Sequence, residues 1–188
     1  MATATILATN QYLTFRLGAE TYALDVANAR EIVEYSAITQ LPKTPDWMRG
    51  VINLRGIVLP VLDLKLKFGM GATERTVNTC AIVVEVILHG DLHVLGILAD
   101  SVQEVFELEA SQIEPPPRFG TRLSTKFIKG MGRKGDQLFI VLDAEKVLSG
   151  EEFDEVEQVS NQGDSEPQPE SSSPPPTPAS APTGSPVG

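Results

Sequence analysis

The chain has 188 residues and carries 15 Lys plus Arg against 25 Asp plus Glu, a net charge of −10. That length suits one domain or two small subdomains. Binding to a phosphate backbone or an anionic lipid surface needs clustered positive charge, so nucleic acid and direct membrane insertion are set aside as modes of action.

Residues 1–10 have no basic stretch and no sustained apolar run. They are expected to be a flexible N-terminus without a signal peptide, on a cytoplasmic protein. Leu13, Phe15 and Leu17 alternate with Thr14 and Arg16, which predicts a strand with one apolar row facing inward. Gly18-Ala19-Glu20 then turns the chain into a second strand over Thr21–Asp25. Val26–Arg30 is expected to be helical before the chain extends through Glu31–Tyr35. Pro45 suits the first position of a short helix through Met48. Val51–Leu54 and Ile57–Leu62 flank Arg55-Gly56 as a second hairpin, with Pro60 restricted to an edge or a bulge. Asp63–Phe68 reads as a turn or two of helix.

Thr79–Leu88 and Leu92–Ala99 flank His89-Gly90-Asp91 as a third hairpin, and Val105–Glu109 adds a short strand. The only cysteine, Cys80, opens the apolar run to Val84 and is expected to be a buried thiol. Phe127–Met131 and Gln137–Leu142 form a fourth hairpin. A short helix over Asp143–Leu148 follows, with Asp143 available as its N-cap. No Lys or Arg follows Lys146, and residues 151–188 hold eight acids, eight Pro and seven Ser. Such a segment cannot bury enough apolar surface to offset its ordering entropy, so 151–188 is expected to be a disordered tail, with Glu151–Val159 able to extend the preceding helix by a turn or two. Some ten short strands joined by tight turns imply a mainly β fold of two five-stranded barrels with a few short helices, spanning 11–150.

Motifs for chemistry are scarce. Gly130-Met-Gly-Arg-Lys-Gly135 matches G-x-G-x-x-G as text, but a strand follows it where a dinucleotide site needs a helix N-terminus. His89 and His93 straddle a turn and are expected to be exposed, and no third ligand is placed to make a metal site. No nucleophile elbow, phosphate loop or H-E-x-x-H motif is present, so the chain is read as a non-enzyme without cofactor or metal. Glu104, Glu107 and Glu109 read as a solvated acidic strand. Features suited to protein binding remain. Arg55 at the tip of Asn53-Leu-Arg-Gly56 is suited to bidentate pairing with a partner carboxylate, a plain turn arginine being the alternative. Tyr35 and Ile38 follow a charged stretch, with core packing as the alternative for Ile38, and core packing is the default for Val102 and Val105.

Several stretches together resemble the CheW-like domain family of bacterial chemotaxis coupling proteins. They are Phe15-Arg-Leu-Gly18 with Glu20-Thr-Tyr22, Arg30-Glu-Ile32, the long run from Arg49-Gly50 to Leu64, Leu95–Val102, and Gly130-Met-Gly132 with the strand ending at Asp143. The resemblance implies two packed barrels of SH3-like shape. It also implies a non-catalytic adaptor that couples the cytoplasmic tips of methyl-accepting chemotaxis receptors to the regulatory domain of the histidine kinase CheA. An adaptor for a non-motility sensory kinase is the alternative. By position it implies receptor binding through Arg55, Gly50, Asn53, Leu54, Val102 and Val105. Glu31 matches an acidic family position associated with partner contact and, with Tyr35 and Ile38, is assigned to the kinase. Ala29 stands where the family often has valine. Such an adaptor would be cytoplasmic and recruited to the inner face of the membrane through its receptors.

Overall fold

The computed structural model describes residues 9–35, 37–116, 125–148 and 151–154, with the single residues 158 and 184. Residues 1–8 of the expected flexible N-terminus and most of the expected tail lie outside them. Among the described residues the strands are β1 Thr9–Leu17, β2 Glu20–Asp25, β3 Ala29–Glu34, β4 Met48–Leu54 and β5 Ile57–Leu62. The helix α1 covers Leu64–Lys67. Then come β6 Cys80–Leu88, β7 Asp91–Ala99, β8 Ser101–Glu109, β9 Ile113–Glu114, β10 Ile128–Lys134 and β11 Gln137–Leu142.

Two sheets result. One runs β8-β1-β2-β11-β10-β9, and the other runs β3-β6-β7-β5-β4. The second has the expected five strands, and the first adds the two-residue β9 to its five. In each, a three-stranded antiparallel unit meets a hairpin through a short parallel joint, Tyr22 beside Ile140 in one and Val61 beside Gly96 in the other.

Alternating side chains build three apolar clusters. Tyr12, Ala23, Phe106, Leu108, Phe139 and Val141 fill the interior of the first barrel. Ile52, Leu59, Val61, Ala81, Val83 and Leu98 fill the second. Between the sheets, Phe15, Leu17, Tyr22 and Leu24 from the first meet Leu62, Ile82, Val84 and Ile97 from the second. Both faces of β6 are therefore covered, which explains why Cys80–Val84 reads as a continuous apolar run rather than an alternation. β1 shows the same double burial, since Tyr12 and Thr14 are as inaccessible as Phe15.

The two halves repeat a local module. Met48, Gly50 and Asp63 correspond to Ile128, Gly130 and Asp143. Both hairpins carry a register shift just before the glycine, and both aspartate N–H groups donate to an aromatic residue's carbonyl, Trp47 at 2.7 Å and Phe127 at 2.9 Å. The two aspartates then diverge. Asp63 is fully buried and caps α1, accepting from the Lys65 N–H at 3.1 Å and the Leu66 N–H at 3.3 Å. It also accepts from the Thr73 N–H and hydroxyl, each at 2.8 Å, and pairs with Arg49 at 3.2 Å. Asp143 makes no side-chain cap; the expected N-cap is replaced by an ion pair to Lys146 at 3.1 Å.

Other sequence expectations are corrected. Pro45–Met48 is a single turn closed by the Met48 N–H on the Pro45 carbonyl, and Met48 already begins β4. Asp25–Asn28 is likewise a turn, and β3 starts at Ala29. Pro60 lies on an inner strand; it is tolerated because β7 pairs only with Val61 and Leu62, where the parallel ladder begins. β1 starts at Thr9, inside the segment expected to be flexible. Residues 151–154 are helical, as the expected extension over Glu151–Val159 has it, and what composition did not show is that Phe153 is buried in the inter-barrel cluster.

Candidate functional site

The β4–β5 hairpin turns on two left-handed residues, Arg55 at φ 52° and Gly56 at φ 86°, the geometry that matches the twist of the flanking strands. Asn53 closes the turn by accepting the Gly56 N–H at 2.8 Å. This aims the Arg55 guanidinium across to β3, where it donates to both carboxylate oxygens of Glu31, at 3.2 and 2.9 Å. β3 and β4 are the two outermost strands of the second sheet, so the bidentate pair links its two margins. The Arg55 side chain is 77% exposed and the Glu31 side chain 23%.

Beside the pair lies a shallow depression of about 180 Å³. Its apolar walls come from Leu54, Ile57, Leu59, Val83 and Val94, and Arg30 completes the rim. Arg30 in turn pairs with Glu85 at 3.0 Å. Ile57 is more than half exposed. A guanidinium has five N–H donors, and Glu31 engages two groups of them, so donors are left for a partner. An ion pair over apolar walls suits docking of a protein surface; no nucleophile–base pair is present in this lining.

The sequence-predicted residues fall into distinct places. Arg55, Glu31 and Leu54 are brought together at the depression. Gly50 is buried with φ +134°, and a Cβ there would collide with the Thr39 carbonyl, so its place is beneath the segment joining β3 to β4. Tyr35 and Ile38 are half-buried on that segment and pack against the interior of the second barrel. Arg75 lies over the Tyr35 ring at 5.2 Å. Val102 and Val105 are on β8, the edge of the other sheet. Val102 packs against the inter-barrel cluster and Val105 is half exposed. Arg30, Ile57, Leu59, Val83 and Val94 were not anticipated. Only Ile57 and Leu59, on the strand that follows Arg55, carried a local signal, because the others arrive from β3, β6 and β7.

Two buried titratable groups, Cys80 and Tyr22, serve packing. Burial pushes the Cys80 thiol up, against a weaker opposing hydrogen bond involving the Val102 backbone. Burial, helped by Glu20, pushes the Tyr22 phenol up to about 12. His93 is not exposed as expected: its ring sits 4.2 Å from that of Phe153. Among the described residues no group of three or more His, Cys, Asp or Glu is placed to hold a metal ion. No helix among them is long and apolar enough to cross a membrane.

Comparison with known proteins agrees with this architecture. A match described as CheW-like domain spans residues 11–152. The chain is 39% identical over 149 residues to the chemotaxis protein CheW of Klebsiella aerogenes, covering 79% of this chain and 87% of that protein. It is 33% identical over 138 residues to CheW of Helicobacter pylori, covering 73% and 81%. The crystal structure of the scaffolding protein TtCheW from Thermoanaerobacter tengcongensis superposes with a TM-score of 0.68 at 32% identity, covering 80% of this chain and 96% of that one. With its two coiled sheets, its duplicated hairpin module and these matches over most of its length, the chain belongs to the CheW-like domain family.

Proposed function

We propose that this chain is a non-catalytic chemotaxis adaptor that couples the cytoplasmic tips of chemoreceptors to the regulatory domain of the histidine kinase CheA. It works in the cytoplasm and reaches the membrane face through the receptors. The observation that carries the reading is the exposed Arg55–Glu31 pair over the apolar depression, set in a fold whose named relatives are chemotaxis proteins. Val102 and Val105 extend the receptor surface; Tyr35 and Ile38 extend the kinase surface.

By resemblance Arg55 is proposed for the receptor and Glu31 for the kinase, yet the two side chains hold each other. Substituting either therefore releases the other, and both partners should respond to both changes. Arg55→Ala, Glu31→Ala and the double variant are to be measured for affinity to a receptor-tip fragment and to the kinase regulatory domain, with melting temperature alongside. An exposed ion pair contributes about 0.2–1 kcal/mol, so all three variants should fold. A charge-assisted contact to a partner is worth about 1.5–3 kcal/mol, so Arg55→Ala should weaken receptor binding by that amount. Unchanged affinities for both partners in folded variants would sink the assignment.

A further inference from the structure

The sequence from Thr125 to Lys134 holds four basic residues, Lys126, Lys129, Arg133 and Lys134, and no acid. All four are exposed on β10 or just before it. Lys134 stacks over the Phe106 ring at 3.7 Å. Among the described residues no carboxylate pairs with Lys126, Lys129 or Arg133. The outer edge of β10 is also sparsely covered, since β9 pairs only with Met131 and Gly132. The structure thus presents a strand with concentrated positive charge and a largely open margin.

The end of the chain has the opposite character. From Glu155 onward it carries five carboxylate side chains, Glu155, Glu157, Asp164, Glu166 and Glu170, and no Lys or Arg. Its root is held close to the basic strand. Glu152 accepts from the Lys67 ammonium at 2.7 Å, and that ammonium lies 5.4 Å from the Phe127 ring. Phe127 immediately precedes Ile128, the first residue of β10. Phe153 is buried beside His93, which fixes the root in place. A segment tethered this close meets the strand at an effective concentration in the millimolar range, so weak charge pairing suffices to hold it.

We infer that the acidic C-terminal segment, residues 155–170, docks within the same molecule on the basic face of β10 formed by Lys126, Lys129 and Arg133. The contact is electrostatic and reversible, and it covers this face until salt or a more strongly charged acidic surface displaces it.

The test is zero-length carbodiimide cross-linking of the full-length protein, which joins lysine amines to adjacent carboxylates, read by peptide mass spectrometry. Isotope-labelled and unlabelled protein are mixed so that links within one chain are told from links between chains. The expected result is intrachain links from Lys126 or Lys129 to Glu155, Glu157, Asp164, Glu166 or Glu170. These should fade at salt on the order of 0.5 M. Replacing the five acids by Gln or Asn should abolish them. Combining Lys126→Glu with Arg133→Glu should lower the remaining Lys129 yield by about tenfold or more. Both variants should keep the parent melting temperature, because Lys126 and Arg133 are exposed and the five acids follow Phe153 in sequence. Links only between chains would assign the face to a second copy. Links from the tail to other lysines, or none, would overturn the proposal. Binding of an added acidic peptide to this face in unaltered protein that shows no intrachain link would assign the face to an external partner instead.

Discussion

At the scale of single residues, burial decides which side chains are free to act. Gly50 carries a family match for binding, yet its surroundings demand a missing Cβ, because the Thr39 carbonyl and the Ile38 side chain occupy that space. Gly50→Ala should therefore cost about 3 kcal/mol or more, combining overpacking with a left-handed backbone. Urea denaturation checks this, and a loss below about 1 kcal/mol would mean that the Thr39 segment moves aside easily. Tyr22 makes an alkaline prediction. Its phenol ionises near 10.0 when unfolded and about 12 when folded, so below pH 10 it is neutral in both states and has no effect. Between those values the unfolded chain has released a proton that the folded chain retains. Stability should fall by about 1.4 kcal/mol per pH unit across that window, and Tyr22→Phe should flatten the slope. Burial of Leu13, Phe15 and Leu17 was legible because apolar alternation is local. The Arg55–Glu31 pair was not, since nothing near either residue in sequence shows that β3 and β4 become the two margins of one sheet.

Elements reveal a comparison that the molecule itself provides. The Asp63 and Asp143 segments occupy matching places after matching hairpins, but only Asp63 is sealed from water. Asp63→Ala would strand the Thr73 N–H and hydroxyl and the Arg49 guanidinium without their acceptor. A cost of about 3–5 kcal/mol is expected, as for breaking a buried ion pair by removing one partner. Asp143→Ala loses an ion pair with an exposed lysine and should cost less than about 1 kcal/mol. Parallel denaturation curves check the contrast, and equal losses would contradict it. The helix was readable as a turn or two over Asp63–Phe68, but its cap was not, and the cap the sequence offered at Asp143 does not form. The rest of the Asp63 network was not readable either, because Thr73 returns to it only after the chain leaves α1. All four hairpin turns were readable, as Gly18, Gly56, Gly90 and Gly135 adopt the positive φ that such turns need.

For the whole molecule, the boundary between packed domain and tail falls later than composition suggests. Glu151–Asp154 is more densely acidic than residues 155–170, but Phe153 is its one large apolar side chain and it enters the inter-barrel cluster. Phe153→Ala should cost about 3–5 kcal/mol, the usual range for emptying a buried aromatic site. A chain ending at Leu148 should lose at least as much, whereas one ending at Asp154 should melt within about 0.5 kcal/mol of the full chain. Thermal melts of the three proteins decide the matter. The inter-barrel cluster also bears on how the chain matures as it leaves the ribosome. The second barrel is one uninterrupted stretch, Ala29 to Ala99, while the first takes β1 and β2 from one end and β8 to β11 from the other. The earliest strands to emerge are thus among the last to be completed, waiting on the order of 10 s for β11 at ordinary synthesis rates. A lone hairpin is marginal in water. The finished second barrel, by offering Ile82, Val84 and Ile97 to Leu13, Phe15 and Leu17, supplies the surface on which that early hairpin can rest until its own sheet arrives.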